Sequence, residues 1–187
     1  MIITKKITSV SNEHIKEVVR TAEDVSFRKK RGLAVLCGPK LCGDALDSGA
    51  ECLEVGATPV AMEKYSDIFE KCAVSAQDVY EISDAVDRKI EGQRSPQGMY
   101  ALVRIPEAGD ISSMTDAARI IILAGVQDPG NAGTIIRTAA ALGFRHVILG
   151  SGCADIWSEK VLRASMGSCF KICPYRTDDL AADIDIA

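Results

Sequence analysis

The sequence predicts an α/β protein in two parts, a small α/β sandwich followed by a parallel-sheet unit. Three observations predict it. Short apolar runs of strand length alternate with helical periodicity from Ile15 to Ile82, and a polar, turn-rich stretch then breaks the pattern at Gly92 to Gly98. From Arg119 onward the order becomes strand, crossover helix, strand, which in one sheet is parallel and right-handed. A chain of 187 residues is long enough for two small cores.

In the first part, Ser11 is the expected cap of a helix carrying Ile15, Val18, Val19 and Ala22 on one side. Leu33 to Cys37 is a continuous apolar strand stopped by Gly38-Pro39, and Leu41, Ala45 and Leu46 then recur at helical spacing until Gly49. Cys52 to Val55 is a second strand with an exit loop at Ala57 to Pro59. A helix from Tyr65 to Lys71 and a strand from Val79 to Ile82 continue the pattern. Met99 to Val103 reads as a further strand, and Pro106 to Asp116, with little apolar content, as a linker. The expected divisions are therefore 1–98, 99–118 and 119–187.

The second part opens with its most buried-looking strand, Arg119 to Val126. The loop Gln127-Asp128-Pro129-Gly130 leads into a helix from Asn131, the expected cap, to Leu142, and Gly143 ends it. Ile135, Ile136, Ala139 and Leu142 fall on the expected core face; Thr134, Arg137 and Thr138 face away. His146 to Leu149 is the next strand, Ser158 to Met166 a helix ended by Gly167, and Cys169 to Cys173 a third strand stopped by Pro174.

Composition narrows the function. The net charge of −4 hides an asymmetry, because residues 1–31 hold eight lysines and arginines against four acids and end in Arg28-Lys29-Lys30-Arg31. Such a block is a solvated helix end or a phosphate-binding patch. Overall acidity does not exclude RNA, since phosphate contacts depend on the local patch. The seven cysteines lack any Cys-x-x-Cys pair, and both histidines lie far from the Cys37/Cys42 and Cys169/Cys173 groups, so no metal site is expected. An odd count inside apolar runs predicts reduced thiols packing as small hydrophobes, hence a cytoplasmic protein. Met1 to Lys6 carries no signal-peptide pattern, and the longest apolar run, Ile120 to Ala124, is far short of the ~20 residues a membrane helix needs.

The loop at Asp128 joins the carboxyl end of a parallel strand to a helix, where ligands of open α/β sheets bind. It is neither a dinucleotide fingerprint nor a phosphate loop, since Gly130-Asn131-Ala132-Gly133-Thr134 matches neither spacing. The stretch Asn131 to Ala139 resembles the first signature motif of the SpoU (TrmH-like) RNA 2′-O-ribose methyltransferases of the SPOUT superfamily. Lys160 to Phe170 is similar to the second motif, in family order. Arg28 through Lys40 resembles the segment joining a basic helix to the first strand of the family's ribosomal-protein-like RNA-binding domain, and Ser95 to Gly98 its lead-in to the catalytic domain.

The resemblance implies an S-adenosylmethionine-dependent ribosomal or transfer RNA methyltransferase working as a homodimer. Its implied catalytic residues are Arg137 and Asn131. Arg28, Lys29, Lys30, Arg31, Arg163 and Ser165 are its implied RNA contacts. In such a reaction the guanidinium stays protonated, orients the hydroxyl and an adjacent phosphate, and stabilises developing alkoxide charge. Two departures stand out. Cys37 replaces the Glu that often precedes the first glycine of the family, and nothing from Tyr175 to Ala187 resembles the third motif. That motif supplies most of the cofactor pocket and the trefoil knot, so the parallel-sheet, Rossmann-like SPOUT domain is expected to be incomplete and this chain inactive, the pocket lying beyond Ala187. The alternative is a non-catalytic RNA-binding module retaining part of a methyltransferase fold. A third reading, a small-ligand Rossmann-like protein, predicts a nucleotide at Asn131 and no affinity for RNA.

Overall fold

The computed structural model describes residues 5–92, 96–109 and 119–184. The chain divides after Ile105 into two compact units. The first contains β1 (Lys5–Ile7), α1 (Glu13–Glu23), α2 (Val25–Arg31), β2 (Leu33–Cys37), α3 (Pro39–Asp47), β3 (Cys52–Ala57), α4 (Pro59–Lys64), α5 (Ser66–Ser75), β4 (Asp78–Ile82), α6 (Asp84–Glu91) and β5 (Met99–Arg104). Its sheet runs β1-β4-β3-β5-β2; β1, β4 and β3 pair in parallel, and β5 is antiparallel to both β3 and β2.

Strand β5 departs from the sequence reading. The run Met99 to Val103 is not part of a connection; it pairs on both edges within the first sheet, and all five residues are buried. A continuous apolar strand has no polar face to offer water, so it belongs in a sheet covered on both sides. Gly92 to Gly98 is accordingly a link inside the first unit, from α6 to β5, not a boundary. Gln93, Arg94 and Ser95, and residues 110–118 of the expected linker, lie outside the described residues.

Helices cover both faces of this sheet. Ile15, Val18 and Val19 of α1 and Val86 and Ile90 of α6 pack with Leu33, Val35, Cys37, Tyr100 and Leu102 on one face. On the other, α3 and α5 place Cys42 and Cys72 beside Cys52 of β3. The neighbouring thiols and burial raise Cys72 to about 12 and Cys52 higher still, while the Cys42 and Cys52 thiols donate to the carbonyls of Leu36 and Glu54. They are inert packing groups. The cap of α1 is Asn12, whose Oδ1 accepts from His14 N, in place of the expected Ser11. Neither β1 nor α6 was expected from the sequence.

The second unit contains β6 (Ile120–Leu123), α7 (Pro129–Ala141), β7 (His146–Leu149), α8 (Glu159–Ala164), a 3-10 turn (Ser168–Lys171), β8 (Cys173–Arg176) and α9 (Leu180–Ile184). The sheet order β6-β7-β8 is parallel throughout, as the strand–helix–strand order requires. Several expectations are corrected. Strand β6 is an edge strand of four residues, with Ile122 exposed, and the most buried strand of this unit is β7. Leu142 closes α7 as its C-cap and is 63% exposed, so it is not on the core face. The third strand lies later than Cys169 to Cys173, because Met166 and Gly167 are both left-handed and send residues 168–171 into a 3-10 turn. Pro174 sits within β8 rather than ending it; an edge strand tolerates a residue without an N–H.

Candidate functional site

Helix α7 begins directly after the loop that leaves β6. Asp128 is its cap: Oδ1 accepts from Asn131 N at 2.7 Å and Pro129 occupies the first turn. Asn131 is therefore an exposed residue of the first turn, not the cap that the sequence suggested. Ala132, Gly133, Ile136 and Ala139 are buried, and Arg137 is exposed.

Gly133 sets the distance between α7 and α8. A Cβ there would lie 2.5 Å from Ala164 Cβ and 2.9 Å from both Val161 O and Ser165 N. Only a glycine allows the two helices to approach so closely. One helical turn later on the same face, Arg137 reaches the end of α8, where its Nη1 donates to Met166 Sδ at 3.2 Å. Met166 holds its thioether there from a left-handed backbone, φ 51°, a rare conformation for an unbranched non-glycine residue. A thioether is a weak acceptor, and among the described residues Arg137 has no carboxylate partner. Most of its guanidinium donors thus remain available at the surface.

The remaining sequence-expected residues separate. Arg163 is exposed on α8 and pairs with Glu159 at 2.6 Å. Ser165 is fully buried; its Oγ donates to Leu162 O and bonds Cys169 Sγ, so it ties the end of α8 to the 3-10 turn and does not face RNA. The basic block of α2 is likewise divided. Arg28 is 2% exposed, and its Nη1 donates to the carbonyls of Thr21 and Ala22 at 2.6 and 2.7 Å. It closes the carboxyl end of α1, where a cation complements the helix dipole, and is no phosphate contact. Arg31 is half-buried against Phe27 and pairs with Glu17. Lys29 and Lys30 remain as the exposed cations of the block.

A polar network in the first unit has no signature in the sequence. Glu54 of β3 is buried and accepts from Tyr100 Oη at 2.6 Å, while its Oε1 lies 2.9 Å from His14 Nε2. The hydrogen bond to Glu54 raises the His14 pKa despite partial burial. Gly56 makes room for the Tyr100 ring, which would lie 2.2 Å from a Cβ at that position. His14 and Glu54 are 40 apart in sequence and Glu54 and Tyr100 are 46 apart, so only the sheet register and the packing of α1 on it bring them together. Asp87 was also missed; burial pushes its carboxyl up to about 6, against the hydrogen bond from Gly98 N.

Among the described residues no group of three or more His, Cys, Asp or Glu is arranged to hold a metal. At the carboxyl ends of the second sheet, Gly150 N donates to Leu123 O and Ala154 N to Val126 O, so the loops after β6 and β7 pack together. Gly125 has open space beside its Cα.

Two α/β units, the second with a parallel sheet and a glycine-seated helix pair presenting one exposed arginine, define the class. The particular family follows from comparison. Residues 118–185 match the SpoU rRNA Methylase family, and residues 12–101 match the MRM3-like substrate binding domain. A 23S rRNA (guanosine-2′-O)-methyltransferase of Bacillus subtilis is 30% identical over 188 residues, covering 96% of this chain and 70% of that protein. The chain belongs to the SpoU rRNA methylase family. A mitochondrial rRNA methyltransferase 3 of Xenopus tropicalis is 31% identical over 166 residues, of which this chain spans 39% of the full length. The crystal structure of an AdoMet-bound rRNA methyltransferase from Sinorhizobium meliloti superposes with a TM-score of 0.80 at 27% identity, over 97% of this chain and 69% of that one.

Proposed function

We propose that the protein to which these two units belong methylates a ribose 2′-hydroxyl of ribosomal RNA, with S-adenosylmethionine as methyl donor. The observation that carries this reading is Arg137, exposed on the helix that Gly133 seats against α8, with only the Met166 thioether for a partner among the described residues. The cofactor, when bound, supplies an electrophilic methyl on a sulfonium; the backbone around Gly125 is suited to part of its nucleoside. Arg137 binds the ribose hydroxyl and a neighbouring phosphate oxygen through its planar fork and stabilises the alkoxide as it develops. Asn131, exposed on the first turn of the same helix, positions the ribose. In the first unit, Lys29 and Lys30 contact phosphates.

The test uses the full-length protein. Arg137→Ala should lose single-turnover methylation of ribosomal RNA while its Trp157 fluorescence melting stays near parental, since the side chain contributes little to the core. Arg137→Lys should fail to rescue, because an ammonium cannot grip two oxygens. A lysine variant with parental rate would refute the role. Replacing Lys29 and Lys30 with Ala should flatten the salt dependence of RNA binding by about two units.

A further inference from the structure

A cleft in the first unit, of about 590 Å³, opens where α4 and α6 leave the carboxyl ends of β3 and β4. That end of parallel strands is where α/β sheets bind ligands. Its floor is rigid. Gly98 O accepts from Thr58 N at 2.8 Å, and Gly98 N donates to Asp87 Oδ2 at 2.9 Å. A Cβ at Gly98 would lie 2.7 Å from Thr58 Oγ1 and 2.9 Å from Ala61 Cβ, so the backbone lies flat between the two helices.

Asp87 is the unusual member. It is 2% exposed, and its Oδ1 has no hydrogen-bond partner among the described residues. Buried carboxylate oxygens are nearly always satisfied, so an unpartnered one just under the wall of a cleft calls for a donor that a small shift of that wall admits. The other walls define that donor. Tyr65 offers a half-buried aromatic ring with the Lys64 ammonium 5.0 Å from its centre. Asp84 and Arg88 stand exposed one turn apart on α6. The cleft thus combines an aromatic platform, the exposed Asp84 carboxylate, the unpartnered Asp87 Oδ1 just beneath its surface, and two exposed cations at the mouth.

We propose that this cleft takes an unstacked guanine nucleotide of the RNA substrate. The proposal rests on the RNA reading above and adds where and what the first unit reads. A guanine edge presents N1–H and the N2 amino group side by side, the pair of donors that carboxylates accept best, whereas the other bases offer fewer adjacent donors. Its plane stacks on Tyr65, displacing Lys64, which with Arg88 then faces the phosphate. A base within a duplex cannot enter, so the recognised segment is a loop or single strand. The exposed lysines of α2 carry no such acceptors or aromatic platform and contribute only charge.

The test is an NMR titration of the full chain, following backbone amides, with GMP, AMP, UMP and inorganic phosphate as probes. GMP should shift the amides of Tyr65, Asp84 and Gly98 and bind more tightly than UMP by about tenfold, through its extra hydrogen bond to a carboxylate. Tyr65→Ala should lose about tenfold in GMP affinity and Tyr65→Phe should keep it within about twofold, since the phenyl ring still stacks. Excess GMP should weaken binding of a guanine-containing single-stranded RNA. Shifts of the same size with inorganic phosphate, no discrimination between GMP and UMP, or a Tyr65→Ala variant that binds as the parent does would overturn the assignment. RNA binding that GMP does not compete would overturn the pocket while leaving the RNA reading intact. GMP binding at these residues without any RNA affinity would refute both the RNA source and the function proposed above.

Discussion

Replacing Gly133 with Ala puts a methyl group where α7 meets α8. The new Cβ would lie 2.5 Å from Ala164 Cβ and 2.9 Å from two backbone atoms of α8, Val161 O and Ser165 N. Carbon atoms prefer ~3.5–4.0 Å, so the helices must separate by roughly 1 Å. Overpacking of this kind costs about 1–3 kcal/mol, and because two of the three atoms are backbone that cannot rotate away, about 3 kcal/mol is expected. Exchanging a helical glycine for alanine returns about 1 kcal/mol, leaving a net destabilisation of about 2 kcal/mol. Trp157, the chain's single tryptophan, is buried in the second unit against Phe170 and reports its unfolding by fluorescence. With a urea dependence of about 1 kcal/mol per M for so small a unit, the midpoint should fall by about 2 M. Gly130→Ala on the same helix is the control. Among the described residues its Cβ would meet Asp128 Oδ1 alone, at 3.1 Å, so it should be neutral or stabilising by up to about 1 kcal/mol. A Gly133→Ala midpoint equal to or above the parental one would show that the close approach of the helices does not limit the fold.

Arg28→Ala should destabilise the first unit by about 2–4 kcal/mol in circular dichroism unfolding, because it strips the donors from the Thr21 and Ala22 carbonyls and leaves a cavity; RNA affinity of the folded fraction should not change. Asp87, raised from 3.8 to about 6, binds its proton more tightly when folded, so stability should fall as pH rises through that window. The shift of about 2 units bounds the effect at about 3 kcal/mol, and an Asp87→Asn variant whose unfolding midpoint keeps the parental pH dependence across that window would contradict the assignment.

The strand Leu33 to Cys37, the helix carrying Arg137 and the parallel order of the second sheet were legible because each follows from periodicity and from residues adjacent in sequence. The motif around Arg137 was legible for the same reason, as nine consecutive residues with a recognisable pattern. Burial of polar groups was not. Arg28 sits among three exposed or half-exposed cations in one basic run, and nothing local distinguishes it; α1, packed alongside, turned it inward to satisfy carbonyls that end that helix. Ser165 likewise belongs to a surface-seeming motif, yet the turn at Met166 and Gly167 folds it under. Strand β5 looked like a connection because its partners, β2 and β3, lie some 40 to 70 residues earlier, and sheet pairing is blind to sequence distance. The sequence by itself determined which segments are helix or strand and which residue types could do chemistry. Tertiary structure decided which of those residues meet water, since exposure depends on what packs above a side chain, and that neighbour comes from elsewhere in the chain.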